Sequence, residues 1–354
     1  MSGFEIPTLR TARLVLRAFR ADDMPAYAAI LGDPAVAQFL GTGKPRDTAE
    51  SWEAAARAVG QWALRGYGLF AVEHAGRLIG HVGILFPPNW PHVELAYAIA
   101  PAAQRQGFAT EAAQAVRAWA AAALGLRDLV SFIRPANQPS IAVARRLGAT
   151  LEKRIEIMGI AAEVWRHAAP PEQMPAIAAP TRVDIPVLET PRLLLRGFRG
   201  GDFEPICAIH ADAQTMLHLG DGKPRDPALT WAQLSMWTGA HGLDRGGWFA
   251  VVRRADGAVI GRCGVNAQPA WPEPELAYTL ARPQWGQGLA SEAAAAVRDW
   301  AWSRGVPSLA SLIKVGNVAS ARVAARLGAR LTGALEFEGK PTERWEYPPP
   351  AGRP

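Results

Sequence analysis

Glu94-Leu-Ala-Tyr-Ala-Ile-Ala-Pro-Ala-Ala-Gln104-Arg105-Gln106-Gly107-Phe108-Ala109-Thr110-Glu111 returns later in the chain as Glu275-Leu-Ala-Tyr-Thr-Leu-Ala-Arg-Pro-Gln-Trp285-Gly286-Gln287-Gly288-Leu289-Ala290-Ser291-Glu292. In each stretch an apolar strand headed by a glutamate runs into a turn with one or two glycines. Apolar residues then recur at helical spacing: Ala109, Ala112, Ala113, Val116 and Trp119, answered by Ala290, Ala293, Ala294, Val297 and Trp300. The turn therefore sits at a helix N-terminus. There the first N–H groups lack partners and the macrodipole is positive, so small residues let a pyrophosphate approach the main chain. The same geometry serves equally to cap a helix against a carboxylate or solvent. Neither turn has the three spaced glycines of a dinucleotide loop or the Lys-Ser/Thr ending of a P-loop, which disfavours hydride transfer and nucleotide hydrolysis.

The repetition runs through the whole chain. Thr11-Ala-Arg-Leu-Val-Leu-Arg17 recurs as Thr190-Pro-Arg-Leu-Leu-Leu-Arg196, Gly43-Lys-Pro-Arg-Asp47 as Gly222-Lys-Pro-Arg-Asp226, and Arg146-Leu-Gly-Ala149 as Arg326-Leu-Gly-Ala329, at offsets of 179 to 180 residues. A unit this long is a whole domain rather than a solenoid repeat. The expected division is a first domain at 1–167, an alanine- and proline-rich linker at 168–186 with its boundary near 175, and a second domain at 187–354. Within each copy, strands and helices mix: in the first, helices near 24–31 and 48–62, then strands near 69–73, 78–85 and 93–99. That order, with several hairpins, argues for an α+β fold over a doubly wound parallel sheet.

With 354 residues, 49% hydrophobic and 20% charged, the composition is that of a soluble globular protein of two domains. The net charge of +6 comes from basic residues scattered among carboxylates, so no nucleic-acid partner is expected. No stretch reads as a signal peptide or membrane span. Two cysteines, Cys207 and Cys263, occur only in the second half, which fits a reducing, cytoplasmic setting and gives no disulfide framework. No metal site is expected, and oligomeric state is not readable.

Gln104-x-x-Gly107-x-Ala109 resembles the Gln/Arg-x-x-Gly-x-Gly/Ala signature of the GNAT acetyltransferase superfamily. Trp285-Gly-Gln-Gly-Leu-Ala290 is similar to its variant in bacterial ribosomal-protein N-acetyltransferases, as is the opening Thr-x-Arg-Leu-x-Leu-Arg strand. The resemblance covers both halves and implies two tandem acyl-CoA N-acyltransferase domains, each a mixed, largely antiparallel sheet flanked by helices. It implies acetyl-CoA (coenzyme A) as cosubstrate, its pyrophosphate held by Gln104, Arg105, Gly107 and Ala109 in copy one and by Gly286, Gly288 and Ala290 in copy two. Copy two departs from the signature with Trp285 at its first position, and copy one lacks the glycine matching Gly286. Asn137 and Asn317 suit helix caps, and the resemblance adds contact with the pantetheine arm.

Acetyl transfer to an amine needs a proton acceptor for the ammonium, since a free amine is mostly protonated at neutral pH. Glu94 and Glu275, at the heads of the strands leading to the turns, are the candidate catalytic groups; a solvent-facing strand residue is the plainer account. The resemblance implies that strand N–H groups polarise the thioester carbonyl. A tyrosine common among relatives is absent, with Val143 and Val323 near its place, and Tyr97 and Tyr278 face the wrong end of the strand. Asp47 and Asp226 are read as helix caps, with Arg46 and Arg225 as an alternative substrate gate. Trp90 and Trp271 either wall an acceptor pocket or join the core. The acceptor implied is an amine, a peptide or protein N-terminus first. The alternatives are a small amine such as an aminoglycoside or polyamine, or a partly non-catalytic cofactor-binding or dimerising module.

Overall fold

The computed structural model describes residues 2–170 and 172–350. The chain forms two compact units, one spanning Phe4–Val183 and the other running from Asp184 onward together with Ser2 and Gly3. The first contains β1 (Ser2–Arg10), β2 (Leu14–Arg17), α1 (Met24–Gly32), α2 (Pro34–Ala37), α3 (Thr48–Arg65), β3 (Leu69–His74), β4 (Arg77–Leu85), β5 (Glu94–Ile99), α4 (Phe108–Leu124), β6 (Val130–Ile133), α5 (Gln138–Arg146), β7 (Thr150–Ile157), β8 (Ile160–Arg166) and β9 (Ala176–Ile185). The second contains β10 (Leu188–Glu189), β11 (Leu193–Arg196), α6 (Phe203–Ala211), α7 (Ala213–Met216), α8 (Pro227–Gly239), β12 (Gly246–Arg253), β13 (Val259–Asn266), β14 (Glu275–Leu280), α9 (Leu289–Ser303), β15 (Ala310–Lys314), α10 (Val318–Arg326), β16 (Arg330–Phe337) and β17 (Lys340–Glu346).

The first sheet runs β7-β8-β6-β5-β4-β3-β2-β1-β9 and the second β10-β11-β12-β13-β14-β15-β17-β16. Only β5–β6 and β14–β15 are parallel among the pairings from β1 to β8 and from β10 to β17. This is the mixed α+β arrangement expected from the order of elements. α4 and α9 pack on the sheets through the small-residue faces seen in sequence, with Ala112, Ala113, Val116, Ala293, Ala294 and Val297 fully buried. In the first unit Trp62, Phe70 and Trp119 meet with ring centroids 4.8 to 5.6 Å apart, a tilted and edge-on cluster between helices and sheet. No helix among the described residues is long and apolar enough to cross a membrane.

The stretch 168–186, expected to be a linker, contains β9, which lies beside β1 at the sheet edge. Its sequence hid this because edge pairing uses the main chain and eight of its ten side chains stay exposed or partly so, without an apolar alternation. Pro180 is tolerated there since an edge strand has a row of N–H groups that needs no ladder partner. The chain passes into the second unit at Asp184. Ser2 belongs with that unit: its hydroxyl donates to the Ile185 carbonyl (3.3 Å) and accepts from the Gly197 N–H (3.2 Å).

The Gly-Lys-Pro-Arg-Asp segments end in working caps. Asp47 accepts from the Glu50 N–H at 2.8 Å while Glu50 accepts from the Asp47 N–H at 3.0 Å, and Asp226 accepts from the Leu229 N–H at 2.7 Å. In β4 and β13 glycines let neighbouring strands close up: a Cβ on Gly83 would run into the Gly68 carbonyl, and one on Gly264 into that of Gly247. Gly83→Ala is expected to cost roughly 1–3 kcal/mol and lower the unfolding temperature by about 3–10 °C. An unchanged melting curve would contradict so close an approach.

Candidate functional site

β5 and β6 share a single register pair, Glu94 with Val130, and β14 and β15 likewise share only Glu275 with Ala310. Beyond those pairs the strands part. One edge of β5 is then unpaired after Leu95, and a few contacts fasten the head of the opening: the Ser131 hydroxyl donates to the Leu95 carbonyl at 2.7 Å, as Ser311 does to Leu276 at 2.6 Å. Across the gap the Tyr97 hydroxyl donates to the Ser140 carbonyl of α5, and Tyr278 to Ser320 of α10, both at 3.1 Å. Tyr97 and Tyr278 lie on the opposite strand face from Glu94 and Glu275, and burial pushes both phenols well above the ordinary range.

The turns after β5 and β14 have the same backbone. Gly107 and Gly288 precede their helices with φ of 81° and 75°. One residue pair earlier, Arg105 at 61° takes the left-handed conformation that Gly286 takes at 76°. The missing glycine of copy one therefore changes no geometry; it costs about 1–2 kcal/mol of backbone strain. Among the described residues no acceptor meets the amides from Arg105 to Thr110 or from Gly286 to Ser291; the first helical bonds are Glu111 N–H to Gly107 and Glu292 N–H to Gly288. Thr110 and Ser291, three positions into each helix start, also bury hydroxyls without a partner.

Gln104 lines the cleft beside the cradle and is also tied to the strand. Its amide donates to the Ile99 carbonyl at 2.9 Å, closing the lower end of the unpaired strand edge. Trp285, the apparent departure, makes the same bond: its indole N–H donates to the Leu280 carbonyl at 2.8 Å. Ala109 and Ala290 stand in the first helical turns. Asn137 and Asn317 cap α5 and α10, each accepting from a serine N–H, Ser140 or Ser320, at 3.2 Å. Among the described residues their amide nitrogens make no hydrogen bond, so capping and contact with a bound ligand are compatible.

The role of the opening strands was missed in sequence. Thr11 donates to Glu111 at 2.6 Å, the Arg13 main chain and guanidinium both bond Glu111, and Arg13 Nη1 donates to the Gln106 carbonyl at 2.9 Å. Thr190, Arg192, Glu292 and Gln287 repeat every bond. This clamp fixes the turn from below; its signal was the co-repetition of Thr-x-Arg with a glutamate about 100 residues on. A cleft of about 940 Å³ in the first unit is lined by Tyr97, Ile99, Arg105, Gly107, Asn137 and Arg146 among others. Arg146, in the repeated Arg-Leu-Gly-Ala, was not singled out for this role.

Glu94 and Glu275 share one environment. The Trp90 indole donates to Glu94 at 2.8 Å and the Trp271 indole to Glu275 at 2.6 Å. Trp90 and Trp271 thus brace the carboxylates, a function outside both sequence readings. Burial lifts each carboxyl from 4.5 to about 7, the indole hydrogen bonds offsetting only part of it. Each is thereby poised to exchange a proton near neutrality. Burial pushes the Cys207 and Cys263 thiols upward, away from the thiolate form, so neither is an activated nucleophile.

A family model of the GNAT acetyltransferase domain matches residues 13–150 and again 192–330. The chain is 35% identical over 102 residues to YkkB, an uncharacterised protein of Bacillus subtilis, covering 28% of this chain and 59% of YkkB. It is 25% identical over 152 residues to YoaA, an uncharacterised N-acetyltransferase of the same organism, covering 42% of this chain and 86% of YoaA. Among solved structures it is similar to an acetyltransferase from Agrobacterium tumefaciens, at 35% identity and a TM-score of 0.42, covering 47% of this chain and 96% of the other.

The shared bond to Ile99 and Leu280 yields a prediction. With the first cradle blocked by Gly107→Glu, Trp285→Gln is expected to keep coenzyme A affinity within about threefold, while Trp285→Leu, which has no donor, weakens it roughly five- to tenfold by calorimetry. Equal binding by the leucine variant would remove this role.

Proposed function

The chain belongs to the GNAT acetyltransferase family in both halves, and we propose that it moves an acetyl group from acetyl-CoA to a primary amine, with a peptide or protein N-terminus as acceptor. The observation that carries the transfer is the pairing, in each half, of an unpartnered amide cradle with a glutamate at the head of a split strand pair, half-buried at Glu94 and buried at Glu275. The N-terminal acceptor rests on the likeness of the opening strand and turn to ribosomal-protein acetyltransferases.

The residues present fit the cosubstrate. Six unpaired amides and an orphaned Thr110 or Ser291 hydroxyl in each half offer donors to a pyrophosphate, reinforced by the helix dipole. A side chain at Gly107 would meet the Arg13 guanidinium and one at Gly288 that of Arg192, besides the strain of a positive φ. Bound there, acetyl-CoA supplies a thioester carbon for the amine to attack. The free edges of β5 and β14 provide N–H groups to polarise its carbonyl. Glu94 and Glu275 accept the ammonium proton at a carboxylate oxygen, directly or through water, from a site that is about half deprotonated at pH 7. Water is the proton donor to the leaving thiolate.

Two measurements test this. Thiol release is expected to fall roughly 10²–10⁴-fold for Glu94→Gln with Glu275→Gln, and to vanish with Gly107→Glu plus Gly288→Glu. In the wild type kcat/KM should drop as pH falls below about 7, as the base protonates. Stability runs the opposite way. The folded carboxyls hold protons up to about 7 that the unfolded ones lose near 4.5, so their contribution to stability declines as pH rises through that window. The double glutamine variant should therefore unfold at pH 8 no earlier than the wild type. A variant with full activity, or absence of coenzyme A binding in calorimetry, would overturn the assignment.

A further inference from the structure

The two halves differ in charge and polarity on the sheet face that carries the candidate bases. Directly opposed residues of antiparallel strands share a face. In the second half that rule aligns Trp248, Ala250, Arg262, Gly264, Asn266, Glu275, Ala277 and Thr279. In the first half the corresponding positions hold Leu69, Ala71, His81, Gly83, Leu85, Glu94, Ala96 and Ala98. The glutamates and the small residues beside them persist. Around them leucine has become asparagine, alanine has become threonine, and a histidine has become an arginine.

His81 is satisfied and neutral. It is 7% exposed, its ring bonded to the Tyr27 hydroxyl at 3.1 Å, and burial pushes its pKa down to about 4. Arg262 is 6% exposed and has no hydrogen bond or ion pair among the described residues. Its neighbours are the rings of Trp237 and Trp248, 4.2 and 4.4 Å from the guanidinium carbon. Further unpartnered groups surround it: Arg225 Nη1, His210 Nε2 and Thr279 Oγ1 are all buried and unbonded. His210 stays neutral, pushed down to about 3 by burial and by Arg262 and Arg225. A buried cation without an anion is costly, and indole faces offset only part of the lost hydration.

Glu275 does not fill the vacancy in charge, since its carboxylate is held by Trp271 and approached by the Leu312 N–H. It lies about 13 Å along the strand from the Arg262 position by strand rise, near enough that each charge perturbs the other. Between them the floor is Gly264 and Ala277. We propose that the second half takes an acceptor whose amine meets Glu275 and whose carboxylate, within the first residues of a peptide, pairs with Arg262, while the first half takes an uncharged one. This rests on the acetyltransferase function proposed above and adds the substrate class of one half.

The test uses the full chain with Gly107→Glu, so that only the second half turns over, and two peptides that differ by one carboxylate, alanyl-glutamate amide and alanyl-glutamine amide. The acidic peptide is expected to have a KM lower by roughly tenfold or more, the worth of one charge-assisted hydrogen bond. Arg262→His, which installs the first half's residue, should erase that ratio by raising KM for the acidic peptide. Arg262→Met should do the same and unfold no earlier than its parent, because it removes an unpaired buried charge. A preference that survives either substitution, or its absence from the parent, overturns the proposal. If no amine releases thiol, acetyl transfer itself fails, and thermal shift decides the anion site alone. Stabilisation by the acidic peptide that disappears in Arg262→His upholds the carboxylate site, and no difference between the peptides overturns it.

Discussion

Parallel pairing that stops after one register pair is the constraint on which the rest of each half depends. A sheet ordinarily satisfies its own main chain, and breaking a ladder at its centre would be costly unless something else bonds the exposed groups. Here the break is held open on purpose. Ser131 and Ser311 pin its apex, Tyr97 and Tyr278 bridge its mouth, and Gln104 and Trp285 close its lower end. The helix that starts below adds its own unpaired amides. The surface exposed there is thus made of backbone, and side chains serve mainly to keep it from collapsing.

That division of labour explains which positions the two copies share and which they do not. An amide donor in one half and an indole donor in the other satisfy the same carbonyl, and an arginine and a glycine take the same left-handed turn. The clamp, by contrast, is identical atom for atom, because a carboxylate bonded by a hydroxyl, a main-chain amide and a guanidinium has no ready substitute. On the face around the glutamates, four of the eight aligned positions differ between the halves.

Much of this was legible in the sequence. Period, caps, the strand-turn-helix unit and the two glutamates all carry local signals, since each depends on residues a few positions apart. β9 was not legible, because an edge strand with exposed side chains has no apolar rhythm. The indole braces were missed because Trp90 and Trp271 sit four residues before the glutamates in irregular segments where spacing predicts no contact. Nor does Trp285 look like a stand-in for glutamine until the bond it makes is seen. What distinguishes the halves required register: Arg262 and Glu275 are thirteen positions apart in sequence, and only the antiparallel pairing of β13 and β14 puts them on one face.

The strand at 176–185 bears on how such a chain divides. Its first residues complete the sheet of the unit before it, whereas Ser2, from the far end of the polypeptide, hydrogen-bonds within the unit that follows. A cut midway between the repeats, near 175, would strip one half of its outermost strand and the other of an N-terminal tie. After duplication and fusion, the join has become part of the architecture, and returning to two free-standing single-domain proteins would require rebuilding both ends.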